Sequence, residues 1–308
     1  MSPAEDGTLA AVPLPPEPRR LPEWIRIRPP RGEQYGDVRD TVRSLQLGTV
    51  CREARCPNLS ECWSAGTATI MLLGQECTRR CTFCAVTTRW PRGVVDPDEP
   101  GRVAAGVRRW GLRYVVLTQV CRDDLPDGGA ALLAETVAAL RRESPSTLVE
   151  LLIGDLGAEE ANLRIVLERP PDVLAHNLET VERLSPHVRD RRAGYERSLG
   201  VLARAKQLAP GRLVTKSSIM LGLGESEEEL VASFRALRAH RVDLLTLGQY
   251  LRPTEAHRPV SRYVPPEEFD LLRARALEAG FAGVESGPMV RSSYHAEELY
   301  RAAIGRTE

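Results

Sequence analysis

From residue 68 onward, short apolar runs alternate with longer amphipathic segments. The runs are rich in β-branched residues and have the length of buried strands, whereas the segments at 128–143, 193–208 and 226–240 have the periodicity of helices. The six runs are ATIMLLG, YVVLT, LVELLI, DVLAH, RLVTKSSIML and VDLLTLG. Such repeats predict a parallel sheet with right-handed crossovers, either closed or partly closed into a barrel, or open and doubly wound. Both architectures place functional side chains at the carboxyl ends of the strands.

Charge and hydropathy restrict the partners. With 42 basic and 42 acidic residues among 308, the chain has no net field to collect nucleic acid or anionic lipid. No apolar run approaches the ~20 residues that cross a bilayer, and the N-terminus lacks the basic start and apolar middle of a signal peptide. We therefore expect a cytoplasmic protein with no nucleic-acid and no membrane partner. Residues 1–32 are rich in Pro, Arg and Glu without apolar periodicity, which predicts a flexible N-terminal arm.

Three of the seven cysteines, Cys77, Cys81 and Cys84, fall within the stretch CTRRCTFC and are called the loop triplet below. A reducing cytoplasm disfavours disulfides, so clustered cysteines are expected to be metal ligands. Thiolates suit iron–sulfur clusters and zinc. A structural zinc site needs a fourth Cys or His, which this stretch lacks, whereas three ligands to four irons leave one iron open. The pattern favours an iron–sulfur cluster whose open iron binds a substrate or cofactor.

A second triplet, Cys51, Cys56 and Cys62, lies in CREARCPNLSECW and is called the upstream triplet. It too has no fourth cysteine nearby, so two incomplete clusters explain both triplets. The alternative for either triplet is a set of buried apolar thiols. Cys121 stands alone and is expected to be a packing residue.

The spacing C-x3-C-x2-C of the loop triplet resembles the radical S-adenosylmethionine (SAM) superfamily. The upstream triplet, together with RDDLPDGGA, HNLETVERL, LTLGQYLRPT and the C-terminal RSSYHA, resembles the lipoyl synthase family within it, over about residues 33–300. The resemblance implies an α/β fold, a partial (βα)6 TIM-like barrel of the radical SAM type with N- and C-terminal extensions. In this chain it implies a flexible arm at 1–32, an extension holding the upstream triplet at 33–67, the barrel at 68–286 and a C-terminal extension at 287–308.

The resemblance also implies the chemistry and the cofactors. A 4Fe-4S cluster on the loop triplet would pass an electron to SAM, and the resulting radical would remove hydrogen from an unactivated C–H bond. An auxiliary 4Fe-4S cluster on the upstream triplet would donate two sulfur atoms to the octanoyl chain of octanoyl-lysine. The implied partners are octanoylated lipoyl carrier domains (the 2-oxoacid dehydrogenase acyltransferase and the glycine-cleavage carrier protein), a flavodoxin or ferredoxin as electron donor, and an iron–sulfur donor protein.

The family's fourth ligand to the auxiliary cluster is a serine of the RSSY motif, here Ser292 or Ser293, and we expect Ser293. A hard oxygen on a soft iron–sulfur site is easily displaced, which suits a cluster that is consumed. The alternative is that the two serines cap a helix beginning near Tyr294.

Five further residues are candidate cofactor contacts. Asn177 and Glu179 follow the fourth strand and suit ribose hydroxyls or the methionine ammonium group; otherwise they cap a helix and begin its first turn. Lys216 lies within the apolar run LVTKSSIML, so it is expected to face a polar barrel interior or an anionic ligand. Gly222 and Gly224 resemble the family's adenine-side loop, although a tight strand-to-helix turn explains them equally well.

Several positions differ from the sequence motifs of the family. Arg89 replaces a glycine directly after the cysteine loop, and TQVCRDD puts Gln119 and Cys121 where the family has TSVDRDD. Both triplets are retained, so we expect retained chemistry with an open question of substrate fit. The alternative function is a paralogue that inserts sulfur into a different acyl chain. A non-enzymatic protein holding zinc or an electron-transfer cluster is disfavoured, because it explains neither the missing fourth thiols nor RSSYHA.

Overall fold

The computed structural model describes residues 20–27, 29–65, 67–211 and 213–305. Its strands are β1 Gly48–Thr49, β2 Thr69–Leu72, β3 Glu76–Cys77, β4 Thr87–Thr88, β5 Tyr114–Gln119, β6 Leu148–Leu152, β7 Val173–Ala175, β8 Val214–Leu221, β9 Leu244–Gln249 and β10 Gly283–Gly287. Its helices are α1 Glu33–Ser44, α2 Val50–Glu53, α3 Leu59–Ser64, α4 Glu99–Trp110, α5 Ala130–Glu143, α6 Glu160–Leu167, α7 Ser185–Val188, α8 Tyr195–Leu208, α9 Glu227–Ala239, α10 Pro266–Glu278 and α11 Ala296–Ile304. Most of the predicted arm, residues 1–19, lies outside the described residues. The four-part division of the chain stays a prediction.

Eight strands form the central sheet, in the order β1-β2-β5-β6-β7-β8-β9-β10. All neighbours pair in parallel except β1 and β2, which are antiparallel. The six predicted runs correspond to β2 and β5 to β9, so the predicted partial barrel is confirmed. The structure adds β10 as a seventh parallel strand, which the sequence analysis did not predict because two glycines and two polar residues interrupt its apolar pattern. Strands β3 and β4 form a separate two-stranded ribbon.

The predicted helices at 128–143, 193–208 and 226–240 are confirmed as α5, α8 and α9. Helix α9 begins with a capping box, in which the amide of Glu229 donates to Ser226 Oγ and the amide of Ser226 donates to Glu229 Oε2. Within the described part of the chain, every helix is too short or too polar to cross a bilayer.

The amino-terminal half of the barrel interior contains a buried polar cluster. Lys216 Nζ lies 2.8 Å from Glu150 Oε1, and the hydroxyl of Tyr114 donates to Glu150 Oε2 over 2.6 Å. The side chains of Lys216 and Glu150 are each only 1% exposed, so the pair is removed from water and each charge depends on the other. The charged residue within the run LVTKSSIML, Lys216, is therefore explained by an ion pair across the barrel.

Helix α11 contacts strands from both halves of the central sheet, β5 in one half and β9 in the other. Its Tyr300 ring lies 6.0 Å from the ring of Tyr114 on β5, and its Leu299 packs against Leu244 on β9. The burial of apolar surface on both sides stabilises this placement. It holds the residues that precede α11, including the RSSY motif, at the barrel.

Candidate active site

A cavity of about 580 Å³ lies at the carboxyl ends of the barrel strands. This volume is in the range of sites for small molecules and cofactors. All six cysteines of the loop and upstream triplets line it, together with four other predicted site residues: Ser292, Ser293, Asn177 and Glu179. The two cysteine triplets and the RSSY serines are far apart in sequence, but they line the same cavity.

The loop triplet is held in place by Arg79, which lies between two of its cysteines. Arg79 Nη2 is 2.7 Å from Asp123 Oδ1, after β5, and 2.7 Å from Asp155 Oδ1, after β6. Burial opposes the charge, but the two carboxylates raise the pKa of Arg79 well above its ordinary value. The hydroxyl of Thr78 also donates to Asp123, over 2.6 Å. The cysteine loop is thus tied to the ends of two barrel strands.

Backbone amides point at two sulfurs of the loop triplet. The amide of Arg79 donates to Cys77 Sγ over 3.4 Å, and the amide of Asp190 donates to Cys81 Sγ over 3.3 Å. Such N–H···S contacts stabilise negative charge on sulfur and tune iron–sulfur clusters. A hydrogen bond with the Cys121 side chain lowers the pKa of the Cys77 thiol to about 6.

Burial has the opposite effect on the remaining thiols of the loop triplet. It raises the pKa of Cys81 to about 11 and that of Cys84 to about 12. Thiolates at these positions therefore require a nearby positive charge, which coordinated iron provides.

The upstream triplet lies on two short helices and the turn between them. Cys51 is on α2, Cys62 is on α3, and the amide of Cys56 donates to the carbonyl of Cys51 over 3.0 Å. Burial raises the pKa of Cys62 to about 12. The Asn58 side chain donates to the carbonyl of Met289 over 2.6 Å, which fastens this region to the segment before RSSY.

The serines of RSSY lie beside the first barrel strand. The hydroxyl of Thr69 on β2 donates to Ser293 Oγ over 2.8 Å. The following helix, α11, begins at Ala296 with His295 at its N-cap position and no side-chain capping bond. The alternative in which the serines cap that helix is therefore wrong.

Arg291 contributes positive charge to the same cavity. Burial lowers the pKa of its guanidinium, and the adjacent Cys56 thiolate opposes that shift. Its Nη1 donates to the carbonyl of Val290 over 2.6 Å. A half-buried cation next to Cys56 suits an anionic cluster on the upstream triplet.

Asn177 and Glu179 lie just after β7. Asn177 Oδ1 is buried and has no hydrogen-bond partner among the described residues. Burial raises the pKa of Glu179, whose backbone adopts a left-handed φ of 70° while its amide donates to the carbonyl of Ser218. An unsatisfied amide oxygen and a desolvated carboxyl group are the expected features of a site completed by a polar ligand.

Three predicted cofactor contacts lie elsewhere. Lys216 does not line the cavity, because its ammonium group is bound to both oxygens of Glu150 deeper in the barrel. Gly222 and Gly224 have φ values of 93° and 105° and form the turn into α9. A Cβ atom on Gly222 would lie 2.3 Å from Gln249 Nε2, so close packing alone requires glycine there. We leave these three residues out of the proposed cofactor site.

The departures from the family pattern fall in two places. Gln119 and Cys121 line the cavity, and Gln119 Oε1 is buried without a partner among the described residues. Arg89 is exposed and lies 3.1 Å from Glu76, outside the cavity lining.

Sequence reasoning missed the roles of Arg79, Asp123 and Asp155. A partial signal was present, because each acid lies within five residues of the end of a predicted strand and the carboxyl ends of parallel strands meet at one edge. An arginine among clustered cysteines at the same edge needs such partners.

The donor set fits two iron–sulfur clusters. Among the described residues, no group of three or more His, Cys, Asp or Glu side chains is arranged around a single metal ion. A cluster spreads its ligands over several irons, and thiols with one displaceable hydroxyl are its usual chemistry. The residues present therefore suit a three-thiol cluster with an open iron and a second cluster completed by a serine.

Comparisons with known proteins agree with this arrangement. A family model described as the radical SAM superfamily matches residues 71–237, and one described as the N-terminal domain of lipoyl synthase of the radical SAM family matches residues 14–56. Lipoyl synthase of Thermus thermophilus is 55% identical over 293 residues, which cover 94% of this chain and 90% of that protein. Lipoyl synthase of Marinobacter nauticus is 54% identical over 91% of this chain and 80% of its own length.

Solved structures share the fold at low identity. Methylornithine synthase superposes with a TM-score of 0.53 at 18% identity, covering 72% of each chain. HydG, a maturase of the [FeFe]-hydrogenase, superposes with a TM-score of 0.53 at 13% identity, covering 75% of this chain and 58% of its own.

Proposed function

The chain belongs to the lipoyl synthase family of radical SAM enzymes, and from this premise we infer that it inserts two sulfur atoms into an octanoyl chain, at its sixth and eighth carbons. Enzymes of this family use SAM and two 4Fe-4S clusters and act on lipoyl carrier proteins. The observation that carries the proposal is that both cysteine triplets and both RSSY serines line one cavity.

When bound, SAM and the cluster on the loop triplet would provide the chemistry that removes hydrogen from an unactivated C–H bond, and the cluster on the upstream triplet would provide the sulfur. The chain's own residues position these groups. The loop triplet would provide three sulfur ligands to a cluster and would leave its fourth iron open to the amino and carboxylate groups of SAM. Asn177 and Glu179, which line the cavity just after β7, are the proposed contacts to the ribose hydroxyls and the ammonium group of SAM. Ser293, held by Thr69, is the proposed fourth ligand on the upstream side.

The cavity also suits an acyl chain. Its lining includes apolar and aromatic side chains that can exclude water from the reacting carbons: Met71, Phe83, Val120, Ile153, Leu251 and Tyr263. A long flexible arm, such as octanoyl-lysine on a carrier domain, can enter such a space while the carrier itself stays outside.

The proposed carriers are the octanoylated domains of the 2-oxoacid dehydrogenase acyltransferase and the glycine-cleavage carrier protein. A flavodoxin or ferredoxin is the proposed electron donor, and an iron–sulfur donor protein is proposed to rebuild the auxiliary cluster. The seven free cysteines suit a reducing compartment, and a cytoplasmic location is part of the proposal.

The test is an anaerobic reaction of reconstituted protein with SAM, a chemical reductant and an octanoyl-lysine carrier peptide. Mass spectrometry should show a lipoyl product together with 5′-deoxyadenosine. Deoxyadenosine without a sulfurated peptide would favour the second candidate, a paralogue for a different acyl chain, which Gln119 and Cys121 in the cavity support. Zinc in the triplets, with a colourless reconstituted protein, would contradict both.

A further inference from the structure

The segment that follows the loop triplet presents large apolar side chains to solvent. Trp90 is 51% exposed, Val94 is 73% exposed and Val95 is 37% exposed. Arg89 and Arg92 are exposed in the same segment. We call residues 89–95 the tryptophan loop. A local group of exposed Trp, Val and Arg is typical of protein interaction sites, because Trp and Arg dominate interface energetics.

The tryptophan loop is anchored by a buried ion pair after β5. The amide of Gly93 donates to Asp124 Oδ2 over 2.7 Å, and Arg122 Nη2 donates to the carbonyl of Val94 over 2.7 Å. Arg122 and Asp124 also bind each other at 2.8 Å, with both side chains buried. The exposed side chains therefore project from a fixed backbone, which lowers the entropy cost of binding a partner.

The tryptophan loop is directly connected to the loop triplet. The amide of Arg89 donates to the carbonyl of Cys77 over 3.0 Å, and Thr88 pairs with Cys77 in the β3–β4 ribbon. Residues 89–95, all of them described, are absent from the cavity lining. A partner on this surface can thus approach Cys77 from outside without entering the substrate cavity.

The surface around Cys77 is positively charged. Residues 75–95 contain four arginines and one glutamate. Arg79 is neutralised by Asp123 and Asp155, and Arg89 is paired with the half-buried Glu76 at 3.1 Å, which leaves Arg80 and Arg92 as the exposed positive charges in excess. The next acid along the chain, Asp96, is paired with Arg102 at 2.7 Å. The charge complement of this surface is an acidic protein.

We propose that the tryptophan loop is the docking surface for an acidic one-electron donor protein that reduces the cluster on the loop triplet. The proposal rests on the proposed function, in which the cluster on the loop triplet must be reduced by one electron. One electron would pass from the reduced donor, which is thereby oxidised, to the cluster held by the loop triplet, whose Cys77 is hydrogen-bonded to the tryptophan loop. The carrier domain is the less suitable occupant, because its acyl arm must enter the cavity and the tryptophan loop does not line that cavity.

Binding is the primary test. The dissociation constant of the reconstituted enzyme for a strongly acidic flavodoxin, in its oxidised form, is measured by calorimetry at low and at moderate salt. Trp90→Ala and the double variant Arg89→Glu/Arg92→Glu should each raise it by about tenfold or more. The double variant should also show a weaker salt dependence. The matched control is Arg108→Glu/Arg109→Glu, two exposed neighbours at the C-terminal end of α4 and outside the tryptophan loop, which should leave binding unchanged.

Activity provides the second readout. With flavodoxin as reductant, both tryptophan-loop variants should form 5′-deoxyadenosine more slowly than wild type; with dithionite, they should match it. An unchanged flavodoxin dissociation constant in Trp90→Ala would overturn the proposal, and so would a weaker affinity for the octanoylated carrier with flavodoxin binding intact. If the wild-type enzyme cleaved no SAM with dithionite, the proposed function would fail on its own, while the binding measurement would still report on docking.

Discussion

The hydroxyl of Thr69 donates a hydrogen bond to the hydroxyl of Ser293 over 2.8 Å, joining the first barrel strand to a motif 224 positions away. Both side chains line the cavity that contains the upstream triplet. A serine oxygen has two acceptor positions, so accepting from Thr69 leaves one lone pair for another partner. The hydrogen bond from Thr69 therefore orients the Ser293 hydroxyl and leaves one of its two acceptor positions open.

Replacing Thr69 by Val is expected to reduce lipoyl formation by about 10- to 100-fold, the usual effect of removing a group that orients a metal ligand. Ser293→Ala should reduce it further, because the ligand itself is lost. Ser292→Ala is the matched control and should have the smaller effect. Deoxyadenosine formation with dithionite should persist in all three, because the loop triplet is untouched. A severe defect in Ser292→Ala with normal Ser293→Ala would assign the ligand to the other serine.

Arg79→Gln is expected to destabilise the protein by about 3–5 kcal/mol, since it leaves Asp155 buried without its main partner. The iron bound by the loop triplet should fall in parallel, because the same guanidinium holds the cysteine loop. Arg204→Gln removes an exposed ion pair to Glu160 and should leave stability nearly unchanged. Chemical denaturation and iron analysis of both variants check this; equal stability of the two would contradict the anchoring role.

Lys216→Met is expected to destabilise the protein by about 3–5 kcal/mol while leaving SAM affinity unchanged. The reason is that Lys216 pairs with Glu150 inside the barrel and does not line the cavity. The double variant Lys216→Met/Glu150→Leu should recover part of the stability, because no unpaired charge remains. Denaturation and equilibrium SAM binding are the measurements. Weakened SAM binding at normal stability would return Lys216 to the cofactor site predicted from the sequence.

His176 is expected to make stability depend on pH. Burial lowers its pKa to about 4, from an ordinary value of 6.5, while its ring contacts the carbonyl of Ile153 and the hydroxyl of Ser198. The unfolded chain therefore binds this proton more readily, and stability is lost as pH falls from about 6.5 towards 4. Between pH 7 and pH 5 the free energy of unfolding should fall by about 2 kcal/mol more in wild type than in His176→Gln. Urea unfolding at the two pH values tests this, and parallel losses in both proteins would contradict it.

Local pattern was sufficient to predict most of the barrel. The runs that became β5 and β9 are apolar along most of their length, so burial on both faces could be inferred from them. Strand β10 was missed because Gly283, Ser286 and Gly287 resemble a loop. It is a strand because pairing with β9 and packing of α10 and α11 outweigh its low propensity.

The candidate site was predictable where ligand type and spacing carry the information. The cysteine triplets are close in sequence, and their chemistry is specific. The partners of Lys216 and Arg79 were not predictable in the same way, because Glu150 is 66 positions from the lysine and Asp155 is 76 positions from the arginine. Only the order of strands in the sheet brings such residues together, and no local pattern encodes it.

We propose above all that the upstream triplet holds a cluster whose sulfur is transferred to an octanoyl chain in the shared cavity. The most direct measurement is a single-turnover reaction of enzyme reconstituted with ³⁴S-labelled sulfide, given SAM, dithionite and octanoyl-lysine peptide. Both sulfur atoms of the lipoyl product should carry the ³⁴S label. A lipoyl product containing unlabelled sulfur, or cleavage of SAM with the octanoyl chain unchanged, would contradict it.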